Sequence, residues 1–115
     1  MLWKSIDPVD KFIEEAREAL GRASQHKQSA ADAKQATRVA HVSDRPQKAK
    51  EAKAAAELAK IASGEASVAV VEARKLLKSV DDSRSKTLKH IMRDALKAAA
   101  AALKEAYDAD IIVKS

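Results

Sequence analysis

Histidine is the side chain in this sequence best suited to proton transfer or metal binding near neutral pH. The three histidines, His26, His41 and His90, lie far apart, and none belongs to the Glu-x-x-His or His-x-x-x-His pairs that hold metal ions on helices. There is no cysteine, which excludes disulfides, thiolate metal ligands and cysteine nucleophiles. We therefore predict no catalytic residue, no metal site and no bound cofactor.

Arg84 and His90, separated by five residues in a predicted helix, are the one arrangement typical of an enzyme family. The pair resembles the Arg-x4-6-His element of HEPN ribonucleases, which are small all-α proteins that act as dimers. In that family the two residues position and cleave RNA, and the resemblance implies the same roles for Arg84 and His90. The rest of the chain does not match the family, so a HEPN-like ribonuclease ranks third among the functions considered.

Basic residues are concentrated in the middle of the chain, where residues 21–60 carry nine Lys or Arg against four Asp or Glu. The net charge of the whole chain is +5. Such a cluster is typical of a surface that binds phosphates. The candidate nucleic-acid-binding residues are Lys27, Lys34, Arg38, His41, Arg45, Lys48, Lys50 and Lys53. The alternative is a solvated helical face, favoured by the lack of aromatic residues on which bases could stack.

A second basic set opens the last predicted helix, where the helix dipole disfavours cations. It consists of Arg84, Lys86, Lys89, His90, Arg93 and Lys97. We predict that its members form interhelical ion pairs with Glu14, Glu15 and Glu18 of the first helix, which the proposed geometry places at the same level.

Alanine at alternating three- and four-residue spacing predicts the elements that position these side chains. The stripe in the middle of the chain is Ala52, Ala55, Ala59, Ala62, Ala66, Ala69 and Ala73, and an earlier one is Val9, Phe12, Ala16, Ala19, Ala23, His26, Ala30, Ala33, Thr37 and Ala40. The spacing averages about 3.5 residues, the period at which a stripe keeps facing a partner helix. Two long helices in close contact are predicted.

Proline and acidic residues mark the helix boundaries. Asp7 and Pro8 predict the start of the first helix, and the sequence Ser43 to Pro46 predicts a turn and the start of the second. The acidic turn at residues 81–83 separates the third helix. The predicted helices run over about 8–42, 46–79 and 84–107, and the tail 108–115 either docks or frays. If the chain instead turns at Gly64, the second helix splits into two and the bundle has four helices.

The predicted architecture is all-α: one domain over residues 1–115, an elongated antiparallel three-helix bundle made of a long helical hairpin and a shorter third helix. Because the third helix is shorter, residues 34–54 should project as an exposed two-helix tip. The larger apolar residues should contribute most of the hydrophobic stabilisation. They are Phe12, Ile13, Leu20, Leu58, Ile61, Val68, Leu76, Leu77, Leu88, Ile91, Leu96 and Leu103.

These features favour a non-enzymatic binding protein that serves as a structural, adaptor or assembly module for another macromolecule. A protein partner is expected, and a homodimer would thicken the thin core. The alternative is a nucleic-acid-binding protein that uses the basic tip. No segment approaches the ~20 apolar residues of a membrane span, and residues 1–8 contain no apolar run typical of a signal peptide. We therefore expect no membrane association and a cytoplasmic location.

Overall fold

Three long helices account for most of the chain. The computed structural model describes residues 7–77 and 82–115. Helix α1 spans Pro8–Val39, α2 spans Arg45–Leu76 and α3 spans Asp82–Lys114, with a short 3-10 helix at Val42–Asp44. The described residues contain no strand, and the helices pack against one another in an elongated bundle with extents of 61, 31 and 16 Å. The predicted all-α three-helix bundle is confirmed.

Local hydrogen bonds explain where α1 begins and ends. Asp7 Oδ1 accepts the backbone N–H of Val9 at 2.9 Å, and Pro8 occupies the first turn, where a missing N–H costs nothing. The helix ends at Val39, before the predicted end at residue 42, because the backbone of Ala40 is extended. The side chain of Arg45 then donates from Nε to the Ala40 carbonyl at 3.3 Å, which closes the connection to α2.

Helix α2 runs without interruption through Gly64, so the four-helix alternative is wrong. Gly64 has no positive φ, and a side chain there would meet nothing within 4 Å. A glycine inside a helix costs about 1 kcal/mol relative to alanine, and the alanine contacts on both sides of Gly64 outweigh this cost. The helix ends at Leu76 because Leu77 is extended. The predicted end at residue 79, and residue 81 of the predicted acidic turn, lie outside the described residues.

The third helix is longer than predicted, at 33 residues against 32 for each of the others. It continues to Lys114 because Ala109 is fully buried against Ala49 and Ala52, with Val113 packed beside them. The prediction of a shorter third helix is therefore wrong. The prediction of an exposed tip over all of residues 34–54 is wrong for the same reason, since the end of α3 covers Ala49 and Ala52, while Val39 and Val42 at the turn are exposed.

The interior of the bundle is made almost entirely of alanine. Successive layers of the core each join one alanine from each helix. One such layer consists of Ala19, Ala66 and Ala95. The next layer is Ala23, Ala62 and Ala98. Among the described residues, the buried apolar side chains larger than alanine all lie at the end where α1 begins: Val9, Ile13, Val70, Leu88 and Ile91. The small side chains allow the three backbones to approach closely along the rest of the bundle.

Half of the large apolar residues predicted to stabilise the core lie on the surface instead. Ile13, Leu88 and Ile91 are buried, and Phe12, Leu20 and Leu77 pack against the core with partial exposure. The predicted core residues that are exposed are Leu58, Ile61, Val68, Leu76, Leu96 and Leu103. The reason is geometric. On α2 and α3 a stripe of larger apolar residues runs beside the alanine stripe, and the alanine stripe lies at the contact between the helices, which we call the seam, because only small side chains fit there.

Enlarging one alanine of the seam should destabilise the protein while the same change on the surface should not. Ala59 is fully buried between the helices, whereas Ala54 lies on the exposed side of α2. We expect Ala59→Leu to reduce the free energy of unfolding by about 1–3 kcal/mol through overpacking. The control Ala54→Leu should stay within about 0.5 kcal/mol. Urea unfolding followed by far-ultraviolet circular dichroism measures both, and equal losses would contradict the close-packed seam.

Candidate interaction surface

The outer side of α3 carries a single row of side chains whose character changes from basic to apolar. Its members follow one another at spacings of three or four residues, so they lie along one face. We call this set the outward row of α3: Lys86, Lys89, Arg93, Leu96, Ala100, Leu103, Tyr107 and Ile111. All eight are exposed, and the exposed fractions of Leu96, Leu103, Tyr107 and Ile111 are 56, 46, 67 and 48%.

Two contacts orient this row relative to the other helices. Met92 Sδ accepts the hydroxyl of Ser67 at 3.1 Å, which places that side of α3 against α2. Lys34 Nζ lies 2.7 Å from Glu105 Oε2, which places the opposite side of α3 against α1. The outward row lies between these two sides and points away from the bundle.

Helix α2 has a matching exposed row that we call the α2 row: Leu58, Ile61, Glu65, Val68 and Glu72. It is apolar at its first end and acidic at its second. Together with α1 it borders a cavity of about 250 Å³, which we call the α1–α2 groove. The groove is lined by Phe12, Glu15, Glu18, Ala19, Arg22, Glu65, Val68, Ala69 and Glu72.

The groove is acidic despite two local cations. Arg22 Nη2 lies 2.9 Å from Glu65 Oε2, and Lys75 Nζ lies 3.2 Å from Glu72 Oε1. Glu15 and Glu18 line the same groove and have no ion-pair partner among residues 7–77 and 83–115. Two carboxylates therefore face solvent beside the exposed Val68 and the partly exposed Phe12.

The predicted ion pairs between the second basic set and α1 form with other partners. Arg84 lies 3.0 Å from Asp7 Oδ2 and 3.2 Å from Asp10 Oδ1, so the start of α3 is held to the start of α1. Among the described residues, the predicted partners Glu14, Glu15 and Glu18 form no ion pair with α3, and Glu15 and Glu18 line the groove between α1 and α2.

Among the described side chains, the basic end of the outward row has one carboxylate contact. Arg93 is 3.9 Å from Asp94 on its own helix, a weak exposed contact. Lys86 and Lys89 have no ion pair with any described side chain. Positive charge therefore accumulates on the outer side of α3.

The predicted nucleic-acid site is largely engaged in contacts within the bundle. Lys34 pairs with Glu105, and Lys48 Nζ lies 3.5 Å from Glu51 Oε2. Arg45 donates to a backbone carbonyl. His41 Nδ1 accepts the backbone N–H of Ser43 at 3.3 Å and caps the 3-10 helix.

The other candidates lie on two helices. Lys27 is half-buried in a cavity between α1 and α3 that Lys97 also lines. Arg38 is exposed on α1, and Lys50 and Lys53 are exposed on α2. Four of the eight predicted residues therefore make contacts within the chain, and three others are exposed on α1 and α2. The signal that sequence reasoning missed is the regular spacing of Lys86, Lys89 and Arg93 with the leucines that follow.

Arg84 and His90 have separate roles in the structure. Arg84 is committed to Asp7 and Asp10, and His90 Nδ1 lies 2.8 Å from Arg93 Nη2 on the exposed side of α3. The described residues include no group of three His, Asp or Glu side chains that could hold a metal ion. Within the same residues, no helix has the length and apolarity required to cross a membrane.

Comparisons with protein-family models, with curated proteins and with solved structures found no match to this chain.

Removing Lys34 should cost more stability than removing an exposed lysine. The Oε2 atom of Glu105 is buried, and Lys34 Nζ lies 2.7 Å from it, so among the described residues the Lys34 ammonium is what offsets its charge. We expect Lys34→Met to lower the free energy of unfolding by about 1–3 kcal/mol, because the carboxylate is left uncompensated. The matched control is Lys48→Met, whose exposed pair should contribute less than about 1 kcal/mol.

Urea unfolding of both variants and of a Lys34→Met, Glu105→Met double variant provides the measurement. The double variant should lose less stability than Lys34→Met alone, because it leaves no buried charge. Equal losses for Lys34→Met and Lys48→Met would contradict the role of Lys34.

Proposed function

We propose that this protein is a non-enzymatic structural or adaptor module that binds another protein chain through its helical faces. The observation that supports this proposal is the reversal of side-chain size between core and surface. Alanine fills the interior, while the outward row of α3 and the α2 row expose leucine, isoleucine, valine and tyrosine. Contiguous exposed apolar residues of this kind mark interaction sites in proteins that are otherwise well folded.

The spacing of the exposed residues supports binding to a helix of the partner. Leu96, Leu103 and Tyr107 recur at helical intervals, as do Leu58 and Ile61 on α2. Rows of this type contact a helix of the partner, which buries its own apolar face against them. Tyr107 is the side chain expected to contribute most, because exposed tyrosine is enriched at the centres of protein interfaces.

A photo-crosslinking amino acid at position 107 tests this proposal. We expect Tyr107→benzoylphenylalanine to form a covalent adduct of defined mass in the producing cells. The control position is Gln25, which is exposed on α1 outside both rows and should form no adduct. Adding Leu96→Ser and Leu103→Ser to the position-107 variant should abolish the adduct, because these residues supply the apolar contact. Equal adducts at both positions, or none at position 107, would contradict the proposal.

Nucleic-acid binding through the basic tip is the second candidate, and the distribution of its residues gives it less support. Phosphate binding by dispersed lysines weakens steeply with salt. We expect fluorescence anisotropy to show no binding of single- or double-stranded DNA or RNA at a salt concentration of about 0.15 M. Binding that persists there and is lost in a Lys34, Arg38, Lys50 and Lys53 quadruple alanine variant would instead establish the second candidate.

A further inference from the structure

The α1–α2 groove and the outward row of α3 lie on opposite sides of the bundle. Helices α1 and α2 form two grooves between them, and α3 of the same chain fills one of these with its alanine stripe. The other groove is open and holds the acidic and apolar residues described above. One groove between α1 and α2 thus accommodates a helix of the same chain, and the α1–α2 groove on the other side is open to a second helix.

The two surfaces have opposite charge. Four carboxylates line the groove, those of Glu15, Glu18, Glu65 and Glu72, of which Glu65 is paired with Arg22 and Glu72 with Lys75. The outward row of α3 carries three cations, Lys86, Lys89 and Arg93, and no Asp or Glu. Opposite charges on two faces of one molecule favour the approach of one copy to another.

The charged and apolar parts also lie in the same order along the bundle. The alanine layers place Ala66 level with Ala95, and the alanine-rich end places Ala52 level with Ala109. At a rise of about 1.5 Å per residue in both helices, Glu72 is level with Lys89. Leu58 is level with Leu103 by the same measure.

The positions between these two pairs match in part. Ile61 is level with Ala100, so a large side chain faces a small one, and on α1 the layer that joins Ala23 to Ala98 places Glu18 level with Arg93. The same register places Glu65 level with Leu96. A copy that is displaced sideways, with no shift along its length, therefore brings Lys89 to Glu72, Arg93 to Glu18 and Leu103 to Leu58.

We propose that the partner of this surface is a second copy of the same chain, whose α3 enters the α1–α2 groove with all helices of the two copies aligned. This inference rests on the proposed function and names its partner. The contact joins two different surfaces, so each copy keeps one free groove and one free α3. Such a contact extends into a row of copies, which closes into a ring only if the rotation between neighbours allows it.

Sedimentation velocity over a range of protein concentrations tests the inference on the full chain. We expect assemblies larger than a dimer at high concentration. The basic variant replaces Lys86, Lys89 and Arg93 with Glu, and the acidic variant replaces Glu15, Glu18 and Glu72 with Lys. Each alone should assemble at least about tenfold more weakly than the parent, because like charges then face each other at the contact. Circular dichroism confirms that each variant is folded.

An equimolar mixture of the two variants provides the decisive measurement. After its substitutions in α3, the basic variant is acidic on both surfaces. After its substitutions in the groove, the acidic variant is basic on both. Copies of the two variants that alternate therefore bring opposite charges together at every contact, and the mixture should recover assembly. A control with Arg38, Lys50 and Lys53 replaced by Glu changes the net charge as much as the basic variant does. These exposed residues lie outside both surfaces, and the control should assemble more strongly than the basic variant.

Three results would overturn the inference. The first is a parent protein that stays monomeric up to millimolar concentration. The second is self-association that both variants retain, and the third is a mixture that fails to recover assembly when both variants are folded. If crosslinking at position 107 then captures a different protein in a manner that depends on Leu96 and Leu103, the proposed function stands without self-assembly. If position 107 forms no adduct, both proposals fail.

Discussion

The close approach of three helices over alanine is the constraint on which the rest of this structure depends. Ala16, Ala23, Ala52, Ala66 and Ala102 have no exposed surface at all. Between backbones so near to one another there is no room for leucine, and enlarging a packed position forces side chains or backbone to move. The larger apolar residues are therefore directed outward by the geometry of the seam, and the same geometry that stabilises the bundle creates its exposed apolar rows.

The sequence predicts the three helices and their antiparallel arrangement because the alanine spacing is regular over more than ten turns. It also predicts that α2 is continuous, since the stripe passes Gly64 without a change of register. The end of α3 was missed although the signal was present. Ala102, Ala106, Ala109 and Val113 continue the stripe at three- and four-residue intervals, and this pattern extends the helix beyond the predicted end at residue 107.

The interaction surface is harder to predict, because α2 and α3 each carry two apolar stripes. Leu58 and Ile61 have the same spacing as the alanines beside them, and hydrophobicity alone assigns the larger residues to the core. Only the packing of three backbones determines which stripe lies inside. The ion pairs depend on helix rotation in the same way: Arg84 meets Asp7 and Asp10, more than seventy residues earlier in the chain, and local patterns contain no information about that contact.

The scarcity of large buried side chains also affects how this protein responds to temperature and denaturant. The largest side chains that are fully buried are those of Leu88, Val70 and Thr37. Unfolding therefore exposes less apolar surface than is usual for a chain of this length, and the heat-capacity change on unfolding scales with that surface. A small heat-capacity change flattens the dependence of stability on temperature, and a small change in exposed area lowers the slope against urea concentration. Alanine packing thus gives a protein whose stability varies little between cold and warm conditions.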